Sequence, residues 1–252
     1  MNEALAIILA AGKGTRMKSE LPKVLYPIND RPMIDYVLDA VLAGGVQRVV
    51  VIVGYQADQV REHLASRKAA MGDRLEFVTQ TELLGTGHAV TFAKSFFEKS
   101  DGPVVIVAGD GPMMQASSIR KLLDQWYAKP VPCVLGSTIK SNPFGLGRVL
   151  RDANGNFVGV VEEKDATEEQ RKITEVNMTY YVFRGRDLAE SLALMRNTNV
   201  QKEYYLTDVP GIMLARGGEV LALPVLDPIE SLAVNTVDEA AIVEAELRRR
   251  TP

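Results

Sequence analysis

Residues 4–23 read ALAIILAAGKGTRMKSELPK. The run Ala4 to Leu9 is aliphatic without interruption, which suits a strand buried on both faces of a parallel sheet. The turn after it then falls at the sheet's carboxyl edge, where open α/β sheets bind ligands. Gly12 and Gly14 carry no Cβ and let the backbone come close to whatever binds. Lys13, Arg16, Lys18 and Lys23 make a basic patch there, on a chain whose net charge is -3. A polyphosphate suits such a loop. A tight strand-to-helix turn would account for the glycines alone. It would not account for Leu21-Pro22-Lys23, where a proline stiffens the return of a second lysine to the same place. Neither common phosphate fingerprint is met: Met17 stands where a dinucleotide fold wants its third glycine, and the lysine spacing is not that of a P-loop.

Outward from this stretch the chain alternates strand and helix. Pro32 reads as the first residue of a helix, with apolar positions 33, 34, 37, 38, 41 and 42 at helical spacing and Gly44-Gly45 as its stop. Strands are expected at Arg48–Val53, Leu75–Val78, Pro103–Val107 and Val131–Ser137. Helices are expected between them over 56–69, from Gly87 to about Phe97, and over 117–127. Beyond residue 140 the pattern changes. Gly147–Leu150 and Phe157–Val161 flank Asp152-Ala153-Asn154-Gly155, an Asn-Gly hairpin signal. Glu175–Phe183 is a long strand, followed by helices over 186–196 and 205–216, a strand over 219–225 and a charged helix over 238–249. The expected fold is α/β: a doubly wound, mostly parallel, Rossmann-like sheet with an added mixed β region that closes over the carboxyl edge. We read one domain over 1–252, with halves at about 1–138 and 139–235 and a C-terminal helix over 236–252.

At 252 residues, 46% hydrophobic and 24% charged, the chain has the composition of a globular protein with a full core. Without a long basic run, nucleic acid is not an expected partner. Cys133 is the sole cysteine and sits in the apolar run Val131–Leu135, as a buried thiol in a reducing compartment would. No stretch reads as a signal peptide or a membrane span, so a cytoplasmic location is expected.

Several further segments carry chemistry. Gln80–His88, QTELLGTGH, joins a strand to a helix. Its Gly85-Thr86-Gly87 can set backbone donors and a hydroxyl beside a nucleobase, and Gln80 offers both a donor and an acceptor to a pyrimidine edge. The same residues equally admit a helix capped by Thr86. Asp110 follows a buried strand in Ala-Gly-Asp-Gly-Pro and should face the first loop, where a carboxylate beside a polyphosphate needs a cation such as Mg²⁺ between them. A turn-forming aspartate is the plainer alternative. Asn235 is a candidate second oxygen ligand, or simply a turn residue. Gly145-Leu146-Gly147-Arg148 offers close backbone approach. Glu162 ends a strand and Asn177 lies within one, an acid and an amide suited to a hydroxyl-rich ligand. Glu163 and Lys164 read as a solvated sheet edge. His63 and His88 are poorly placed for a histidine–carboxylate pair in these motifs.

Taken together, the segments LAAGKGTRM (9–17), LPKVL (21–25), QTELLGTGHA (80–89), AGDGP (108–112), GLGRV (145–149), VVEEKDAT (160–167), EVN (175–177), EYYLTD (203–208) and AVN (233–235) resemble the sugar-nucleotide pyrophosphorylases. Within these nucleotidyltransferases the chain is most similar to the uridylyltransferase half of the bacterial N-acetylglucosamine-1-phosphate uridylyltransferases. The resemblance implies that UTP and a sugar 1-phosphate, N-acetylglucosamine 1-phosphate foremost, give a nucleotide-diphospho-sugar and pyrophosphate, a cell-wall precursor step with Mg²⁺. It implies that Leu9, Ala10, Ala11, Gly12, Gly14, Gln80, Gly85 and Thr86 form the nucleotide site, in a nucleotide-binding half of about 1–138. Arg16 and Lys23 would bind phosphates, and Asp110 with Asn235 would hold the metal, so that Arg16, Lys23 and Asp110 are the catalytic set. Gly147, Glu162 and Asn177 would hold the sugar, in a sugar-binding half of about 139–235. The chain departs from the family pattern at Ala108, Gly111, Leu146 and Met178-Thr179, all around the sugar site. No hexapeptide repeat precedes Pro252, so the acetyltransferase activity of the family's second domain is not expected of these residues. Rival readings are a pyrophosphorylase for another sugar, a cytidylyl- or molybdopterin-nucleotidyltransferase with the same first loop, or a non-catalytic sugar-nucleotide sensor. Retention of Arg16, Lys23, Asp110 and Asn235 argues against the sensor.

Overall fold

The first strand, β1 (Leu5–Ala10), has a parallel neighbour on each side, β4 (Arg48–Val53) and β6 (Pro103–Ala108). In this computed structural model, which describes residues 3–17 and 19–250, its side chains alternate between two cores. Ala6, Ile8 and Ala10 feed one, Leu5 and Ile7 the other. Both faces are covered, so the uninterrupted apolar run is what the position demands; each fully buried Ile contributes about 1.5–3 kcal/mol relative to exposure. Lys18, one of the four basic residues of the opening loop, lies outside the described residues, as do Thr251 and Pro252 of the C-terminal helix expected over 236–252.

β4 continues into β5 (Leu75–Thr79), also parallel. On the other side of β6 the order departs from the chain sequence. β10 (Glu175–Arg184) runs antiparallel beside β6, and β7 (Cys133–Ile139) follows it, with β11 (Val220–Leu223) parallel at the edge. The full order is β11-β7-β10-β6-β1-β4-β5. The fifth strand of the β–α run is thus not a neighbour of the fourth. β10 earns its central place by being apolar on both faces: Tyr180 and Val182 enter the first core, Tyr181 and Phe183 the second. Near its start the register slips between Asn177 and Tyr180, and Thr179 adopts φ +58°. This bulge turns the first residues of β10 towards β8 (Gly147–Arg151), which pairs with β9 (Phe157–Val161) as the hairpin signal predicts.

Helices cover both faces. α1 (Met33–Ala43) packs with α5 (Ala116–Ala128) on one, while α4 (Thr86–Thr91), α7 (Gly185–Leu192) and α8 (Val209–Ala215) cover the other. Some boundaries differ from expectation. Pro32 precedes α1 in an extended conformation (ψ 140°) and does not open its first turn. The helix expected over 56–69 is two, α2 (Ala57–His63) and α3 (Ala65–Met71), broken where fully buried Leu64 turns towards the core. The helix expected to reach Phe97 stops at Thr91 and resumes as one tight turn, Lys94–Phe96. The helix expected over 186–196 ends at Leu192, and that over 205–216 is the turn Leu206–Asp208 followed by α8. A short α6 (Glu168–Arg171) carries a capping box between Thr167 and Gln170. The last helix, α9 (Val237–Arg250), sits on the ribbon of β2 (Pro27–Ile28) and β3 (Arg31–Pro32). Ala240 and Val243 pack there with Met17, Ile28 and Met33, so the chain's end lies under its opening loop.

Candidate active site

β1 is where the sheet's connections diverge, β4 lying to one side and β6 to the other. The loops leaving β1 and β6 therefore open a crevice at the carboxyl edge. Small residues make the closeness possible. A Cβ on Gly54, just past β4, would lie 2.8 Å from the Cβ of Ala11, and one on Gly109 would lie 2.9 Å from the Leu9 carbonyl. Two clefts meet in this crevice. One, of about 290 Å³, is lined by Leu9, Ala11, Gly12, Lys23, Gln80, Gly85 and Thr86. The other, of about 380 Å³, is lined by Arg16, Gly147, Glu162, Asn177 and Asn235. Ala108, Asp110 and Thr179 belong to both. Of the residues assigned to nucleotide from sequence, Leu9, Ala11, Gly12, Gln80, Gly85 and Thr86 thus fall in one chamber and those assigned to sugar in the other, with Asp110 at the junction.

Ala10 and Gly14 come to neither chamber. Ala10 is turned into the first core. Gly14 takes φ +63°, and a Cβ on it would stand 2.6 Å from the Cβ of Lys23. The stem of Lys23 therefore requires a glycine here whatever binds. Gly12 does face open space, since a Cβ there meets nothing within 4 Å.

At the junction Lys23 Nζ donates to Asp110 Oδ2, and also to Asn235 Oδ1 at 2.8 Å. Arg16 Nη2 donates to the same Asn235 oxygen at 2.9 Å. Lys23 is largely buried, its side chain 13% exposed against 26% for Asp110. A carboxylate oxygen and an amide oxygen therefore converge on one cationic centre. Hard oxygen donors in that arrangement fit Mg²⁺, which takes one or two protein oxygens and completes its shell with phosphate and water. Among the described residues no cluster of three or more His, Cys, Asp or Glu side chains is arranged to hold a metal. A metal here would thus depend on its substrate for the remaining ligands.

In the first chamber Gln80 is buried and its Nε2 lies 3.4 Å from the Gly85 carbonyl. Gly85 takes φ +109°, and a Cβ on it would come within 2.6 Å of the Tyr204 carbonyl. That carbonyl accepts from Gly87 N–H at 2.8 Å, while Tyr204 N–H donates to Leu84 O at 2.8 Å. Segment 203–206 thus braces the glycine turn from behind, a partnership that no local pattern in QTELLGTGH announces. Thr86 does not cap α4; Gly85 holds the cap position, and the Thr86 hydroxyl accepts from Leu206 N–H at 3.1 Å. His88 stacks on Tyr204 and lies edge-on to Phe92.

In the second chamber Asn177 is buried, and its Oδ1 has no partner among the described residues. Glu162 accepts from the Thr207 hydroxyl at 2.9 Å. Burial is the main force raising its carboxyl above the ordinary range; Thr207 opposes this, and the charges of Asp208, Asp165 and Glu203 add to it. A Cβ on Gly147 would crowd Val160 at 3.2 Å. Glu163 is not the solvated edge residue expected. It holds the nearly buried Arg148 at 2.7 Å and accepts from Gly145 N–H at 3.2 Å, fixing the GLGR loop; exposed Lys164 is as expected. Sequence reading missed Glu230. Its buried carboxylate accepts from Gln115 N–H, Ser118 Oγ, Tyr180 OH and Asp227 N–H at 2.6–3.0 Å, tying three segments together behind the second chamber. His63 does find a carboxylate, Asp35 at 2.8 Å, but on α1 and α2, outside both chambers.

Among known proteins, the chain is 41% identical over 98% of its length to the bifunctional protein GlmU of Geobacillus sp. (strain WCH70). It is 42% identical over 97% to that of Carboxydothermus hydrogenoformans, and equally so to that of Listeria innocua. It spans about half the length of these curated relatives, 52–53% of each. A solved UDP-glucose pyrophosphorylase complexed with UDP-glucose matches 99% of this chain, and all of its own, with a TM-score of 0.78. At 16% identity that likeness speaks for the fold. No helix among the described residues is long and apolar enough to cross a membrane. The model of the MobA-like NTP transferase domain matches residues 6–197, β1 to just beyond α7 and most of both chambers, and the chain belongs to that family of nucleotidyltransferases.

Proposed function

We propose that the chain transfers the uridylyl group of UTP to N-acetylglucosamine 1-phosphate, giving UDP-N-acetylglucosamine and pyrophosphate. The observation that carries this reading is the pair of chambers meeting at Asp110, with Lys23, Arg16 and Asn235 gathered around the junction. A nucleoside triphosphate in the first chamber would present its α-phosphate to an acceptor phosphate from the second. The acceptor oxygen forms a bond to the α-phosphorus as the bond to the β-phosphate bridge breaks. That oxygen is already ionised at neutral pH, so no general base is needed. Alignment and charge neutralisation supply the rate. Lys23 steadies the α-phosphate under attack, and Arg16 the departing pyrophosphate. Asp110 and Asn235 would hold Mg²⁺, which when bound neutralises phosphate charge.

A different sugar is the second reading, and one observation favours it. Ala108, Gly111, Leu146, Met178 and Thr179, where the chain departs from the family pattern, all line the acceptor chamber. A pyrophosphate-release assay over panels of nucleoside triphosphates and sugar 1-phosphates separates the readings. UTP with N-acetylglucosamine 1-phosphate should give the highest kcat/KM. A better pair would reassign the substrate, and binding without release from any pair would make the protein a sensor.

A further inference from the structure

One cation in the acceptor chamber is not accounted for by the mechanism. Lys140, the residue after β7, lines the cleft, and its backbone N–H is fixed to the Thr174 carbonyl at 2.9 Å. Its ammonium makes no hydrogen bond or ion pair among the described residues. The neighbouring charges are otherwise engaged. Arg16 is held by Asn235, Glu230 is filled by four donors, and Glu239 accepts from Asn235 N–H and Thr236 N–H. Four carboxylates line this chamber (Asp110, Glu162, Glu230 and Glu239) with two cations, Arg16 and Lys140, while Lys23 neutralises Asp110 from the junction.

We propose that Lys140 recognises an anionic oxygen group of the acceptor sugar phosphate. This rests on the reading of the second chamber as the acceptor site. Burial holds the ammonium below the usual lysine range although Glu239 pulls it upward, which is the state of a charge that has lost water and gained too little in exchange. An incoming oxyanion supplies the missing partner. Two sources carry such an oxygen: the 1-phosphate common to every acceptor, and a carboxylate on the sugar ring.

Lys140→Met and Lys140→Arg separate them, with N-acetylglucosamine 1-phosphate and glucuronic acid 1-phosphate as acceptors. Lys140→Met should raise acceptor KM about tenfold, the loss of one hydrogen bond to a charged group, and leave KM for UTP within about twofold, while Lys140→Arg restores much of the affinity. A rise with both acceptors assigns Lys140 to the phosphate; a rise with the uronate alone assigns it to the carboxylate. Unchanged acceptor KM values, or an equal rise for UTP, overturn the inference while leaving the proposed reaction standing. If the wild type releases no pyrophosphate from any pair, that reaction fails first. Calorimetric binding of the two sugar phosphates to wild type and Lys140→Met then decides. Weaker binding by the variant sustains the role of Lys140, and equal binding, or none by the wild type, ends it.

Discussion

Asp110 holds the junction of the two chambers because Gly109 lets the end of β6 turn against β1 and because Lys23 reaches across from the opening loop. Replacing it with asparagine keeps the shape and removes the charge. Asp110→Asn should therefore lower kcat by about 10²-fold or more, the scale on which a preorganised charged group acts. Its side chain is a quarter exposed, so loss of the pair with Lys23 should move Tm by only a few degrees. Full activity in this variant would sink the assignment. Glu162 offers the complementary case, a residue that costs the free protein stability. A carboxyl whose folded-state pKa is raised holds its proton more tightly folded than unfolded, so ionisation at neutral pH opposes folding. Below the unfolded value, about pH 4.3, that cost vanishes. Glu162→Gln is expected to raise Tm at about pH 7.5, with the gain fading as pH falls through the carboxyl range towards 4, while KM for the acceptor rises. A Tm gain independent of pH would show that the charge was not the cause. At this scale the sequence was informative wherever a residue faces the crevice. Gln80, Asp110, Glu162, Asn177 and Asn235 reach it, because strand ends at a carboxyl edge have few other places to point. The demand that Lys23 places on Gly14 was not legible, since a glycine required by a neighbouring side chain looks in sequence like one required by a ligand.

Among the elements, α9 matters most for its first turn. Glu239 accepts from the N–H groups of Asn235 (2.7 Å) and Thr236 (3.1 Å), while Thr236 Oγ1 accepts from Glu239 N–H at 3.2 Å. This capping box starts one residue after the candidate metal ligand, and Glu239 also holds the Asn235 N–H, so the helix start anchors the backbone that carries the Asn235 side chain. Glu239→Ala should cost about 1 kcal/mol of stability, as lost caps do. It should also raise the Mg²⁺ concentration needed for half-maximal pyrophosphate release, with KM for UTP at saturating Mg²⁺ little changed. Thermal melts and a Mg²⁺ titration read the two effects separately. An unaltered Mg²⁺ requirement would detach the cap from the metal site. Thr236-x-x-Glu239 is plain in the sequence, but the role of the cap is not, because it depends on Lys23 and Arg16 arriving from more than 200 positions away. The same limit explains the helix broken at Leu64. Periodicity runs through that residue, and only the depth of the core beneath it decides the bend.

For the whole molecule, the strand order is what the sequence could not convey. Strict β–α alternation over the first five long strands predicts a parallel sheet, and the parallel set β5-β4-β1-β6 is there. Nothing local says that β10, some forty residues beyond β7, will lie between β6 and β7. We therefore treat the division near residue 138 as one of chambers and not of folding units. Without β10, β6 keeps a single neighbour and β7 loses both β10 and β11. The first core would lose Tyr180, Val182 and Leu226, and the second would lose Tyr181, Phe183, Leu188, Leu192, Leu206, Val209 and Met213. At about 1.5–3 kcal/mol for each large buried side chain, that loss exceeds the roughly 5–15 kcal/mol by which a domain of this kind is stable. A fragment of residues 1–140 should then show no cooperative transition in urea followed by circular dichroism, whereas the 252-residue chain unfolds in one step. A fragment that melts sharply would mean that the nucleotide half folds alone and that β10 joins a finished sheet.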